Sequence, residues 1–228
     1  FRFEPFPSSL FSQLVLELES FTQALLGEFN AFNPSALTPD LVRGAELAER
    51  ARNAAQSPET KRLLDEKITE FETAIVLAAG VKIDALIETE TLVPDSAATV
   101  AVRSFMADDS PARVLSARVN VPENWTVAAS QRQELANEAG NRRQDSAVAE
   151  AYFLVQVPNG AGVTQPYWLE LPREAAAYDW SEAGSEKSLA FASPILTATV
   201  LLEITGREVS VTREVEYRQL DRIRGEVR

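Results

Sequence analysis

The sequence predicts an α+β fold, in which an N-terminal antiparallel three-helix segment is followed by an immunoglobulin-like antiparallel β-sandwich. Three observations lead to this prediction. Apolar residues recur every three or four positions up to Gly80, they alternate with polar residues after it, and no helical crossover separates the alternating runs. We therefore expect a helical bundle segment over residues 1–80 and the sandwich over residues 81–228.

The first helix is predicted to begin near Ser8 and Ser9 and to end at Asn33-Pro34-Ser35. Its apolar residues recur at spacings of four, three and four, which places them on one face of a helix. These residues are Leu14, Leu18, Phe21 and Leu25.

The second and third helices open with the same pattern, a residue with an N-capping side chain followed by proline. Thr38 precedes Pro39, Ser57 precedes Pro58, and Gly80 is the expected C-terminal stop of the third helix. The second helix has a thin, alanine-rich apolar face made of Leu41, Ala45, Ala48 and Ala55. The third has a fuller stripe made of Leu64, Ile68, Phe71, Ile75 and Ala78.

After Gly80, alternation predicts about seven or eight strands whose spacing is typical of an immunoglobulin-like sandwich. Further strands are expected near 98–106, 151–157 and 165–171, and Thr205-Gly206 is an expected turn. Residues 130–147 have no apolar period and predict a long polar insertion, either functional or inert, with a short helix at 131–138. The core-facing positions are predicted to be Val81, Ile83, Ala85 and Ile87; Leu115, Ala117, Val119 and Val121; Leu196, Ala198, Val200, Leu202 and Ile204; and Val209, Val211, Val215 and Tyr217.

Composition narrows the possible functions. The 228 residues carry a net charge of −12, which disfavours a nucleic-acid partner because phosphate binding needs clustered Lys and Arg. The chain contains neither Cys nor His, so thiolate zinc sites, a Ser-His-Asp triad and most catalytic zinc sites cannot be built from it. No apolar stretch reaches the length of a membrane span, so no membrane partner is expected. We expect no catalytic residue, metal ligand or cofactor in this chain.

The acidic pairs favour ordinary structural roles over metal binding. Asp108-Asp109 lies in a turn before Pro111, and no ladder of Ca²⁺ ligands follows it. Glu88 and Glu90 are interpreted as a solvated strand face.

The stretch GVTQPYWLEL, residues 162–171, is the strongest candidate for a binding surface. Pro166 removes a ladder donor, so an edge strand is expected, with Tyr167 and Trp168 on opposite faces. One ring would then fill the core, and the other would stack on a sugar or cover an interface. Trp180 is expected to be exposed, which makes Tyr167, Trp168 and Trp180 the candidate ligand-binding residues. Trp125 is expected to close one end of the core.

An ordered set of short motifs resembles the region downstream of the catalytic domain in large bacterial LmbE-like (PIG-L) deacetylases. The resemblance covers roughly residues 60–228 and includes PENWTV, a Thr-x-Pro-Tyr-Trp-Leu pattern, a Tyr-bearing strand and a V-x-Y-R…D…G-E segment. The matching residues are Thr164, Pro166, Tyr167, Trp168 and Leu169, then Tyr178, then Val215, Tyr217, Arg218, Asp221, Gly225 and Glu226.

This resemblance implies an accessory region of an enzyme that hydrolyses N-acetyl groups on sugars with zinc. The family's His-Pro-Asp-Asp motif and later His have no counterpart here, so no catalytic residue carries over. The expected partners are a catalytic domain and a further β-sandwich of the same polypeptide, and we interpret the chain as a region of a longer protein. The expected role is structural or domain-orienting, the alternative is a carbohydrate-binding module, and the expected location is bacterial and periplasmic or secreted.

Overall fold

The structure is a computed structural model that describes residues 10–131, 148–173, 175–221 and 225–227. Within these ranges the chain is α+β, with three α-helices followed by ten strands. The helices are α1 Leu10–Glu28, α2 Thr38–Ala54 and α3 Pro58–Ala78. The strands are β1 Lys82–Ile87, β2 Ala97–Phe105, β3 Ala112–Asn120, β4 Thr126–Ser130, β5 Ala149–Gln156, β6 Thr197–Ile204, β7 Arg207–Glu214, β8 Glu216–Tyr217, β9 Gln219–Asp221 and β10 Gly225–Val227.

The helix boundaries follow local capping chemistry, with one exception. The Ser57 hydroxyl accepts a hydrogen bond from the Thr60 N–H, which confirms the predicted cap of α3. Gly80 has φ +68° and forms the predicted stop, with backbone bonds that join its N–H to Leu77 and the next N–H to Val76. The predicted cap at Thr38 is wrong, because Thr38 already has helical angles and its hydroxyl donates to the Ser35 carbonyl at the end of a 3₁₀ turn, Pro34–Leu37. The predicted start of α1 at residues 8 and 9 lies outside the described residues.

Eight of the strands form two main sheets. The first has the order β4-β5-β2-β1-β8 and the second has the order β3-β6-β7, while β9 pairs with β10. All pairings are antiparallel except that of β1 with β8, which is parallel. The expectation of purely antiparallel sheets is therefore wrong at one edge.

The alternation on β6 and β7 is confirmed, and on β3 it is confirmed at Ala117, Val119 and Val121 but wrong at Leu115. The register between β3 and β6 slips between Val114 and Ser116, which is a β-bulge. Val114 and Ala117 therefore pack against the core, and Leu115, which the sequence places in the core, is exposed. Alternation read along one strand does not reveal an inserted residue.

Helices and both sheets contribute to one hydrophobic cluster. Its fully buried members include Ile75 of α3, Val100 of β2 and Leu202 of β6. Trp125 packs against the same cluster as a partly buried residue. The helical segment and the sheets are therefore joined by packing.

Polar contacts reinforce this junction at the β6–β7 turn. One guanidinium nitrogen of Arg207 donates to Glu49 of α2 at 2.7 Å and to Glu72 of α3 at 2.8 Å. The Thr205 hydroxyl donates to the hydroxyl of Thr38 at 3.2 Å. Burial lowers the pKa of Arg207, but its two carboxylate partners outweigh this effect and raise the pKa overall. Arg207 is therefore charged at neutral pH.

A second buried ion pair lies on β1. Asp84, which the alternation places on a solvated face, is only 8% exposed. Both oxygens of its carboxylate accept from Arg218, at 3.1 and 3.3 Å, and Arg218 also donates to Glu216. The Arg218 pKa is lowered by burial and raised more strongly by these carboxylates. Arg218, four residues after the end of β7, therefore supplies the opposite charge that allows Asp84 to be buried.

The remaining predictions on secondary structure have mixed outcomes. Residues 165–171 do not form a strand; Tyr167–Leu169 is a short 3₁₀ turn. Of the predicted polar insertion 130–147, Ser130 ends β4, and residues 132–147, with most of the proposed short helix at 131–138, lie outside the described residues. None of the helices in the described ranges is long and apolar enough to cross a bilayer.

Candidate functional site

The candidate site lies in the long connection between β5 and β6, residues 157–196. Its described part carries two 3₁₀ turns, Tyr167–Leu169 and Gly184–Ser188. Pro166 begins the first turn, and its carbonyl accepts from the Leu169 N–H at 2.8 Å. Proline has no N–H to give to a ladder, so the local sequence favours this turn over the expected strand.

Tyr167 is the buried centre of the connection. Its side chain is 6% exposed, and its hydroxyl lies 3.1 Å from the Leu189 carbonyl and 3.4 Å from the Lys187 carbonyl. The hydroxyl proton can satisfy one of these acceptors at a time, and Leu189 is the nearer. Tyr167 therefore joins the first 3₁₀ turn to the backbone around the second, although it is not a member of the main core cluster.

The three aromatic residues predicted for the site do come together. The Tyr167 ring meets Trp168 edge to face at 4.9 Å between centroids, and it meets Trp180 at 6.2 Å with a similar orientation. Successive residues of a 3₁₀ turn are separated by about 120° rather than 180°. The expectation that Tyr167 and Trp168 lie on opposite faces of a strand, with one ring in the sandwich core, is therefore wrong.

Trp168 lines an open cavity of about 560 Å³. Apolar side chains of Pro166, Phe191 and Ile195 line the same space, and Phe191 is 82% exposed. Tyr167 is buried and is not among the lining residues, but its ring contacts that of Trp168, which is. Trp180, 45% exposed, is not among the lining residues.

Two acidic residues, Glu170 and Glu186, are also among the residues that line the cavity. The Glu186 carboxylate accepts the backbone N–H of Ser193 at 2.9 Å, and hydrogen bonding to Ser193 lowers its pKa. Glu186 is thus ionised at neutral pH, and it holds the backbone beside Phe191.

The acidic pairs weighed from the sequence lie elsewhere. Asp108 and Asp109 occupy an exposed turn between β2 and β3. Glu88 is not a solvated strand residue as interpreted, because its carboxylate accepts the Thr99 N–H at 2.7 Å just beyond the end of β1. No group of three or more acidic side chains in the described ranges is placed to hold a metal ion.

Sequence reasoning found Trp168 but missed Phe191, Glu170 and Glu186. Phe191 lies in the short stretch SLAFASP, where a lone aromatic residue between small residues and a proline signals an exposed loop aromatic. Glu170 and Glu186 carry no such signal, because nothing in their spacing distinguishes them from the other acidic residues.

Comparison with protein-family models, with curated proteins and with solved structures finds no match to this chain. The family resemblance therefore rests on the ordered motifs of residues 60–228 alone.

Proposed function

We propose that the chain is a non-catalytic accessory region of a zinc-dependent N-acetyl-sugar deacetylase of the LmbE-like (PIG-L) family, with a structural, domain-orienting role. The family in this proposal comes from the ordered motifs of residues 60–228 alone. The observation that supports the structural, orienting role is the shared core, to which the helices and both sheets contribute. A spacer that orients a neighbouring domain must transmit position without bending, and a continuous packed core provides this.

The places of the motif residues support a structural role. Tyr167 is buried, Val215 and Tyr217 pack against the core, and Arg218 binds Asp84. Tyr167, Val215, Tyr217 and Arg218 thus stabilise the fold, whereas Leu169 and Tyr178 of the same motifs are exposed.

We further propose that the fold is an antiparallel three-helix segment on an immunoglobulin-like sandwich. Contacts of α2 with its neighbours support the helical part. Arg52 pairs with Asp65 and Gly44 lies against Phe71, so positions later in α2 meet positions earlier in α3. The two sheets supply facing residues to one cluster, which supports the sandwich.

The proposed partners are a catalytic domain and a further β-sandwich of the same polypeptide, in a bacterial periplasmic or secreted protein. Exposed apolar side chains on and after α1, such as Leu26, Phe29 and Phe32, would be covered in such an assembly. The net charge of −12 disfavours a nucleic-acid partner.

The test of the proposed function has two parts. The complete coding sequence is expected to encode an upstream His-Pro-Asp-Asp motif. The purified 228-residue chain is expected to release no acetate from N-acetylglucosamine oligomers with or without added Zn²⁺, because it offers no histidine or cysteine ligand. Zinc-dependent acetate release by the chain alone would contradict the proposal.

A second candidate function is that of a carbohydrate-binding module. The observation that favours it is the cavity lined by Trp168 and Phe191, since aromatic faces stack on the apolar faces of sugars. Trp168→Ala is then expected to abolish glycan binding. Trp180→Ala is the matched control, because Trp180 also adjoins Tyr167 but does not line the cavity. A clear fall in Tm for Trp168→Ala, in a protein that binds no oligosaccharide, would assign Trp168 to the scaffold alone.

A further inference from the structure

The charged residues that line the cavity beside Trp168 are all acidic. Glu170 and Glu186 line it, and no Lys or Arg of the described residues does. The Glu186 carboxylate is fixed by its hydrogen bond to Ser193, so its charge has a defined position. A cavity with this lining favours a ligand that carries positive charge, since a like charge would be repelled.

The same cavity offers aromatic surface. Trp168 is held by edge contact with the buried Tyr167, while Phe191 stands almost fully exposed. Pro166 and Ile195 extend the apolar lining between them. A rigid ring with one apolar face therefore fits, and cations are also attracted to the faces of aromatic rings.

Polar groups complete the lining. Thr164 and Gln165 provide a hydroxyl and an amide, which can pair with ligand hydroxyls. A flat ring bearing hydroxyls and one positive charge satisfies all three kinds of lining group.

We propose that this cavity binds an amino sugar with a free ammonium group, in preference to the corresponding neutral or N-acetylated sugar. The pyranose ring stacks on Trp168, and the ammonium group pairs with Glu170 and Glu186. A lysine side chain carries the same charge, but it loses more rotamer freedom on binding and has no flat face. This inference rests on the second candidate function, because it names the class of carbohydrate held there.

The test compares three trisaccharides by titration calorimetry at low salt, at a pH that keeps the amine protonated. They are the trimers of glucosamine, N-acetylglucosamine and glucose. The glucosamine trimer is expected to bind about three- to tenfold more tightly than the other two, the gain expected from two solvent-exposed ion pairs. Added salt should reduce this preference.

The carboxylates are tested by Glu170→Gln and Glu186→Gln, alone and together. The amide introduced by Glu186→Gln keeps an oxygen that can accept the Ser193 N–H, so the loop is expected to hold its shape. The double variant should bind all three trimers equally. Glu19→Gln, on the exposed side of α1, removes the same charge away from the cavity lining and should keep the preference.

Each other outcome has a distinct meaning. Equal binding of the three trimers by the unaltered protein would overturn the ammonium preference and leave the carbohydrate-binding function standing. If none of the three trimers binds, both the ammonium preference and the carbohydrate-binding function are wrong, and the proposed accessory role is unaffected. Tighter binding of a lysine-rich peptide than of the glucosamine trimer would replace the sugar with a basic protein partner.

Discussion

At the scale of single residues, Tyr167 holds together a long connection with little regular structure. Its hydroxyl lies within hydrogen-bonding distance of two backbone carbonyls about twenty positions away, and its ring meets both neighbouring tryptophans edge to face. The position of Trp168 in the cavity lining therefore depends on the buried Tyr167 side chain.

We expect Tyr167→Phe to lower the free energy of unfolding by about 1 kcal/mol, because the hydrogen bond of the Tyr167 hydroxyl is lost while the ring packing is kept. Urea unfolding measures this change. Tyr178→Phe is the matched control, since Tyr178 is exposed and its ring contact is with Arg173. Equal effects of the two substitutions would show that the Tyr167 hydroxyl has no stabilising role.

The sequence identified Tyr167, Trp168 and Trp180 as candidates, but it predicted neither their arrangement nor the place of Phe191 in the cavity lining. Bulky aromatic residues near Pro166 predict that side chains pack together there, whether the backbone forms a strand or a turn. The choice between a strand and a 3₁₀ turn depends on the carbonyls of Lys187 and Leu189, some twenty residues away. Local alternation contains no information about these partners.

At the scale of elements, α2 is the helix most closely packed against its neighbours. Although its apolar face is thin, eight of its residues are buried, compared with two in α1 and three in α3. Small residues allow the close approach. A Cβ atom added at Gly44 would lie 2.3 Å from the Phe71 ring of α3.

We expect Gly44→Ala to destabilise the protein by about 1–3 kcal/mol, because Phe71 must move to accept the new methyl group. Gly27→Ala, in α1, is the matched control. A Cβ there meets nothing within 4 Å, so alanine should stabilise by about 0.5–1 kcal/mol through its higher helix propensity. Thermal unfolding should show a lower Tm for Gly44→Ala and a higher Tm for Gly27→Ala. A higher Tm for Gly44→Ala would contradict the close packing of α2 on α3.

Hydrophobic period was sufficient to predict the helices and most strands, since each presents a regular apolar face to the core, although β1 and β2 are buried on both faces. It failed where a bulge shifted Leu115 outward and where β8 joined the sheet in parallel. Both features depend on pairing between distant strands, which the period of a single strand does not encode.

At the scale of the whole molecule, a rigid orienting role depends on the junction between helices and sheets. Arg207 joins β7 to both α2 and α3, across sequence separations of 158 and 135 residues. No sequence pattern identifies such a pairing among 34 acidic residues. Within the described residues the buried Nε–H of Arg207 has no hydrogen-bond partner. This reduces the net stabilisation that Arg207 gains from its bonds to Glu49 and Glu72.

We expect Arg207→Ala to destabilise the protein by about 1–3 kcal/mol, because it removes two charge-assisted hydrogen bonds and leaves Glu49 and Glu72 facing each other. Arg113→Ala is the control, since its pair with Glu203 is exposed and should contribute less than about 1 kcal/mol. Denaturant unfolding of the two variants measures both effects. A smaller loss of unfolding free energy for Arg207→Ala than for Arg113→Ala would contradict a stabilising junction.

A rigid orienting region requires that helices and sheets unfold as one unit, and we expect this of the chain. A variant with Trp168→Phe and Trp180→Phe retains Trp125 at the core as its only tryptophan, so its fluorescence reports on the sheets while far-ultraviolet circular dichroism at helical wavelengths reports on the helices. Urea unfolding followed by both signals should give coincident transitions with one midpoint and one slope. Loss of the helical signal at clearly lower urea than the Trp125 signal would contradict the claim, because the helices would then be a separately unfolding attachment.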